Sequence, residues 1–416
     1  MPSPVADSAS RGELLILESD VEGHSQEWLQ HLVEFVASDD AEGSICLVAP
    51  PALCAALSRH MPAGATDRVR FMAMTPREQA LCGHRVLTIA AFARWWAMRS
   101  YLRRSGASAG FFLSLDLLCI PLGLGLGARG KPLAGILFRP SVHYAAMGEY
   151  RPSLGERLRD MRKSLFYRLM LRNPAIRTVL SLDPFFPDHA AAYYPAGAKV
   201  RALPDPAEPP ATLARLSPAV HDFVPAGRVG MLLFGYLTER KGPLAVLEAL
   251  RLLPEATTHR IAVLFAGRVD PALRGDIELR TASLGRDRPE LWLRIEDRRL
   301  DRDELEALVA RSDVVLAPYQ RFVGSSGVLL WAARAGRPVL AQDYGLIGRL
   351  TRDHHLGVAV DTTDKERLAA AIERVVEQGP QTFIDRPSAA RFVAARTPQC
   401  FASLVFSSTQ PQPDST

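Results

Sequence analysis

Short apolar runs alternate with amphipathic helical segments along most of this chain, and a proline-rich break splits the alternation in two. The break is Pro204-Asp205-Pro206-Ala207-Glu208-Pro209-Pro210. Proline lacks the N–H that a helix interior or a central strand needs, so this stretch reads as a linker. Before it, Leu14 to Leu17, Ile45 to Val48, Val69 to Met72, Leu133 to Phe138, Thr178 to Leu182 and Val200 to Leu203 read as strands. Gln26 to Ala37 reads as a helix, with Trp28, Leu29, Leu32, Phe35 and Val36 near helical spacing. After the break, strands are expected at Gly230 to Phe234, Ile261 to Phe265, Leu291 to Ile295, Val314 to Ala317 and Pro338 to Ala341. Helices are expected at Leu244 to Leu253, Glu304 to Ala310 and Asp364 to Gln378. Such alternation implies parallel sheets with helices on both faces. The expected fold class is therefore α/β, with two Rossmann-like domains facing a cleft. The first spans residues 1–205, the second residues 206–385, and residues 409–416 form a disordered tail. Ligands of open α/β sheets sit at the carboxyl ends of strands, so the loops that follow strands are where chemistry is expected.

With 416 residues, 48% of them hydrophobic, the chain can bury two cores of ordinary size. A net charge of +5 is mild, and no nucleic-acid partner is expected. Five cysteines without CxxC or ligand spacing fit reduced, buried thiols and a cytoplasmic location. The start, MPSPVADSASRGE, lacks the apolar stretch of a secretory signal. The long apolar run Phe111 to Gly127 carries Asp116, Pro121 and several glycines, which argues against a membrane span.

The segment Arg311 to Gly345 reads as strand, glycine-rich loop, helix, strand. Pro318 stops the strand, and Gly324-Ser325-Ser326-Gly327 opens a helix from about Val328. A loop of this kind aims free N–H groups and the positive helix end at one point, which suits a diphosphate. A plain turn with serine caps would carry the same residues. Phe234-Gly235-Tyr236-Leu237-Thr238-Glu239-Arg240-Lys241-Gly242-Pro243 is the second such loop. Gly242 can serve as N-cap with Pro243 at the first helical position. Arg240 and Lys241 beside a positive helix end are unfavourable unless an anion joins them.

In the first half, Gly23 lets a ligand approach the backbone, and His24 could donate to a phosphate or a sugar hydroxyl. Ser25 capping the helix beside a surface histidine is an equal reading. His143, in Arg139-Pro140-Ser141-Val142-His143-Tyr144, follows a strand and could face the cleft, or belong to an ordinary polar loop. Asp116 needs a partner, and capping of the helix after it is the favoured explanation. Three motifs fail on context. Gly125-Leu126-Gly127-Ala128-Arg129-Gly130 matches GxGxxG but leads into a strand. Asp301-Arg302-Asp303 reads as a capping box with Glu304 rather than a metal motif. His354 and His355 lack zinc spacing, so no metal ligand is assigned. Residues 155–172 place Arg157, Arg159, Arg162, Lys163, Arg168 and Arg172 among Leu158, Met161, Leu165, Phe166, Leu169 and Met170. That pattern suits an anionic membrane surface, or an ordinary domain helix with a solvated basic face.

The second half, about Gly230 to Val375, resembles the donor-binding domain of retaining glycosyltransferases of the GT-B fold, family 4. The likeness rests on Gly235 to Gly242, on Phe265-Ala266-Gly267-Arg268, on Ser312 to Pro318, and on Ala335 to Ala341 with Asp343-Tyr344-Gly345. The resemblance implies a nucleotide diphosphate sugar as donor, a saccharide or lipid-linked acceptor, and no cofactor or metal. It implies a donor site at Gly23, Gly235, Arg240, Lys241, Gly267, Gly324, Ser325, Ser326 and Gly327, with His143, His24 and Lys241 serving catalysis. It also implies that residues 386–408 cross back to the first domain. The sequence departs from the family at three places. Val323 and Trp331 stand where two glutamates usually contact the donor, and Tyr236 replaces a phosphate-binding arginine, with Arg240 near enough to substitute. A catalytically silent GT-B protein is the alternative.

Overall fold

The structure, a computed structural model, describes residues 12–20, 25–38, 43–62, 64–146, 152–206, 224–324 and 326–410. Gly23, His24, Ser325, most of the proline-rich break and the tail from 411 lie outside the described residues.

Contacts divide the chain into two units. One holds residues 1–143, 152–206 and 396–416, and the other holds 144–151 and 207–395. The first unit is built on a sheet of β1 (Leu14–Leu17), β2 (Ile45–Ala49), β3 (Val69–Ala73), β4 (Ala109–Phe112), β5 (Leu133–Leu137), β6 (Ile176–Ser181) and β7 (Val200–Ala202). The strands are all parallel, in the order β3-β2-β1-β4-β5-β6-β7. Helices cover both faces, so the inner strands read as unbroken apolar runs such as Leu14-Leu15-Ile16-Leu17. Leu15 and Leu17 pack toward Met98, Tyr101 and Met170, while Leu14 and Ile16 pack toward Trp28, Leu32 and Phe401.

The second unit repeats the plan with β8 (Val229–Phe234), β9 (Ile261–Ala266), β10 (Trp292–Glu296), β11 (Val314–Ala317), β12 (Val339–Gln342) and β13 (Gly357–Val360). Its order is β10-β9-β8-β11-β12-β13, again all parallel. In both sheets the strand order reverses beside the first strand, between β1 and β4 and between β8 and β11. That is where an open α/β sheet presents a crevice at its carboxyl edge.

Two strands differ from the sequence expectation. β4 runs into the start of the apolar run Phe111 to Gly127, and Gly110 just before that run weakens the strand signature. The glycine is needed there, because a Cβ would lie 2.7 Å from Met98 Sδ and 2.8 Å from Leu133 Cδ2. β13 opens on Gly357, whose φ of +153° and close approach to Val339 O (2.0 Å from a Cβ) again exclude a side chain. The C-terminal segment is two helices, not one. Arg386–Ala394 packs on Gly327–Arg334 in the second unit. Pro398–Ser407 sinks Phe401, Ala402 and Val405 into the first unit's core, with Phe401 5.2 Å from Trp28 between ring centres. No helix among the described residues is long and apolar enough to cross a membrane.

Candidate functional site

The loops after β8 and β11 meet at the crevice of the second sheet. After Phe234 the chain turns through Gly235, forms a short 3-10 turn over Glu239–Lys241, and enters the helix Pro243–Leu252. Gly242 caps that helix in the left-handed region, at φ 76°, with Pro243 following as expected. A Cβ on Gly242 would lie 2.1 Å from Pro318 O, so the turn rests directly on the neighbouring loop. Gln320 N donates to Arg240 O at 2.8 Å, and Lys241 Nζ donates to Tyr319 Oη at 2.7 Å. Tyr319 Oη lies 2.5 Å from Ser326 Oγ, which accepts from Val328 N at 3.3 Å and caps the helix Gly327–Arg334. Ammonium, phenol, hydroxyl and helix amino end therefore form one connected line.

The remaining expected donor-site residues take distinct places. Gly235 lies beneath the lysine, since a Cβ there would be 3.4 Å from Lys241 Nζ. Gly327 faces open space, while Gly324 is buried. The Arg240 guanidinium stacks on the Phe322 ring at 4.6 Å. Gly267 has a backbone role: a Cβ there would lie 2.0 Å from Gly235 O, so its bareness lets the loops after β8 and β9 nest. Ser325 lies outside the described residues.

The loop 318–324 is held from below. Tyr344 Oη accepts from Arg321 N at 2.6 Å and donates to Tyr319 O at 3.2 Å. Thr362 Oγ1 donates to the same carbonyl at 3.1 Å. Trp331 sits edge-on to Phe234, 6.2 Å between ring centres, and Arg334 stacks on its face at 5.5 Å. An oxyanion placed over this surface would meet a pre-positioned ammonium and a helix amino end together.

At the carboxyl edge of the first sheet, His143 has a partner the sequence reading missed. Its Nε2 lies 2.7 Å from Asp183 Oδ2, and Asp183 is wholly buried. Asp183 Oδ1 also accepts from Phe185 N at 2.9 Å, which fixes the carboxylate. The ring of His189 lies 5.0 Å from that of His143. Burial, and then His143, hold His189 below the ordinary imidazole range. An acidic residue ending a buried strand and preceding a proline was the available signal for Asp183. Tyr319 gave less, being one polar aromatic directly after the strand-stopping Pro318.

His24 and Gly23 lie outside the described residues; the residues on either side, Glu18 to Asp20 and Ser25, are described. Ser25 Oγ donates to Glu18 Oε2 at 3.0 Å, and Asp20 N donates to Glu18 Oε1 at 2.7 Å. Burial raises the Glu18 carboxyl above its usual range, against the pull of those donors. Asp116 does not cap the helix Cys119–Gly123, which has no side-chain cap. It accepts instead from Phe138 N at 2.9 Å and Arg139 N at 3.3 Å, tying off the end of β5. Burial raises its pKa too. Asp301 and Glu304 form the expected capping box. Among the described residues no cluster has the makings of a metal site.

Residues 228–378 match the family profile described as glycosyl transferases group 1. No curated protein sequence matches the chain. Among solved structures, a glycosyltransferase from Rickettsia africae is similar at 12% identity, over 96% of this chain and 99% of that one, with a TM-score of 0.65. Sucrose-phosphate synthase from Thermosynechococcus elongatus is similar at 17% identity, over 94% and 97%, with a TM-score of 0.65. HepE of Anabaena, in complex with UDP and glucose, is similar at 15% identity, over 95% and 97%, with a TM-score of 0.60. These likenesses identify the fold as two parallel-sheet α/β domains of the GT-B type.

Proposed function

We propose that the protein is a retaining glycosyltransferase that moves a hexose from a nucleoside diphosphate sugar to a saccharide or lipid-linked acceptor in the assembly of a bacterial glycan. The observation that carries this reading is Lys241, its ammonium 2.7 Å from Tyr319 Oη beside the amino end of Gly327–Arg334, within the segment that matches group 1 glycosyltransferases. Two similar structures lend support. HepE was solved with UDP and glucose, and WaaG is a glycosyltransferase of lipopolysaccharide biosynthesis.

In this reading the bond between the anomeric carbon and the diphosphate oxygen breaks, and negative charge gathers on the diphosphate. Lys241 and the first N–H groups of Gly327–Arg334 meet that charge where it develops. One such pre-placed donor is worth roughly 3–4 kcal/mol of barrier. By analogy with the family, the acceptor attacks from the leaving-group face and its proton passes to a phosphate oxygen. No protein nucleophile and no metal ion is then needed. His143, fixed by Asp183, serves as an orienting group for the acceptor or donor sugar.

The test is a thermal-shift panel of nucleoside diphosphate sugars with the native chain and with Lys241→Ala. The expected outcome is one base and sugar that raises Tm in the native chain and not in the variant. No shift with any donor, or an equal shift in both, removes the reading.

A second reading, a GT-B protein that binds donor without turning it over, is favoured by one observation. Val323 and Trp331 carry no carboxylate, and Trp331 is engaged with Phe234 and Arg334. Donor binding with neither hydrolysis nor transfer to any acceptor would select it.

We also infer peripheral contact with an anionic membrane. On the helix Leu154–Arg172 the side chains of Leu154, Leu158, Met161 and Leu165 are exposed by 82%, 64%, 65% and 54%. They share one face at helical spacing, among Arg157, Arg162 and Arg168, which is the pattern of an interfacial helix.

A further inference from the structure

The opposite edge of the first sheet carries a feature that the proposed reaction does not use. At the amino ends of β5 and β6, a cavity of about 600 Å³ is lined by Arg99, Arg129, Lys131 and Arg177, with Arg103 and Trp96 on an adjoining wall. From Leu87 to Pro132 the chain holds six basic residues and one acidic residue, Asp116. Asp116 is committed to the far end of β5. Among the described residues, none of Arg99, Arg103, Arg129 and Arg177 pairs with a carboxylate. Like charges gathered in one concave wall repel one another, and an anion relieves that repulsion. Lys199 registers the field, its pKa lowered by burial and then by Arg177.

The wall is built rather than incidental. It is formed by the glycine-rich run Gly125 to Gly130. Asn173 Nδ2 donates to Leu122 O at 2.8 Å and to Leu126 O at 3.1 Å. Trp95 Nε1 donates to Gly127 O at 3.3 Å. Lys131 Nζ donates to Leu102 O at 3.1 Å and also to Ala107 O, tying the loop to the end of the helix Leu87–Ser105. Arg129, the residue the loop presents, is held at φ 54°, a conformation an L side chain adopts at a cost. Glycine would fit that position with less strain, so the guanidinium is retained against local preference.

We propose that this pocket is a second binding site, taking the phosphate group of a ligand through Arg99, Arg103, Arg129 and Arg177. Guanidinium forks match phosphate oxygens bidentately, and the exposed indole of Trp96 gives the rest of the ligand an apolar neighbour. The phosphate could arrive on a soluble molecule or on a lipid headgroup.

The test uses the full chain carrying Lys241→Ala, which removes the second unit's lysine. Inorganic pyrophosphate is titrated into this chain by calorimetry, alone and with either Arg129→Gly or the pair Arg99→Gln and Arg177→Gln. In parallel, flotation is measured on phosphatidylcholine vesicles with and without phosphatidylglycerol. Expected is pyrophosphate binding that each change weakens about tenfold or more. The Tm of the ligand-free Arg129→Gly chain should be no lower than its parent's, because the change relieves a left-handed arginine. If pyrophosphate does not bind but the pocket variants lose flotation on anionic vesicles, the phosphate is a headgroup and the site stands. If the variants alter neither measurement, the site is overturned, whatever the donor panel shows.

Discussion

Single residues at the second sheet's crevice act through closeness, and two glycines separate that effect from backbone conformation. Gly242 and Gly227 both lie in the left-handed region, at φ 76° and 81°. A Cβ on Gly242 would strike Pro318 O, whereas one on Gly227 would meet nothing within 4 Å. Gly227→Ala is expected to cost about 1 kcal/mol, the conformational penalty alone. Gly242→Ala should cost about 3 kcal/mol, because backbone must also move. Urea unfolding of the two variants checks the difference, and equal costs would refute the contact. Tyr319→Phe keeps the buried ring and deletes the hydroxyl between Lys241 and Ser326. Transfer should slow by about tenfold, the worth of one hydrogen bond to a charged group, with Tm little changed. The turns that follow β8 and β11 were legible as strand-end loops because lysine, glycine and proline sit at fixed offsets from the strand ends. The contacts of Tyr319 and Asp183 were not, since each is made with a partner far along the chain, Lys241 in one case and His143 in the other.

At the level of elements, legibility followed apolar pattern. β1 and β11 are unbroken apolar runs and were readable, as were β5 and β8, whose single glycine lies within a longer apolar run; β4 and β13 are four-residue strands with a glycine among them, which leaves too short a run to read. Residues 386–408 were expected to cross back to the first domain; within them Thr397 and Pro398 start a second helix, with Thr397 accepting from Cys400 N at 3.1 Å. The helix Leu154–Arg172 was readable as basic and amphipathic, and its exposed stripe gives the pattern a direction. Leu158→Glu with Met161→Glu is expected to abolish flotation on phosphatidylglycerol vesicles and to leave Tm unchanged, as both positions are exposed. Native flotation by the double variant would remove the membrane reading.

For the whole molecule, the first unit stores a pH response in its buried carboxyls. Burial raises Glu18 above its unfolded-state pKa. A carboxyl of this kind favours the folded state most where it is protonated in both states, and that advantage is lost as pH rises through the folded pKa. Glu18→Gln, neutral at every pH, should therefore be more stable than the native chain at about pH 8, with the difference gone by about pH 4. Thermal melts across that range read the sign directly; a variant less stable at the alkaline end would contradict it.

Gly345 has φ 65°, and a Cβ on it would lie 2.7 Å from Val323 Cα; Leu346 N also donates to Val323 O at 3.0 Å. The stretches after β11 and β12 are thus latched into a single part, with no slack at position 323. Anyone exchanging the loop after β11 for that of a similar protein, to place a glutamate at 323, must transplant residues 318–327 and 343–346 as a matched set. A chimera carrying only one of the two would jam at the latch, and its inactivity would say nothing about specificity.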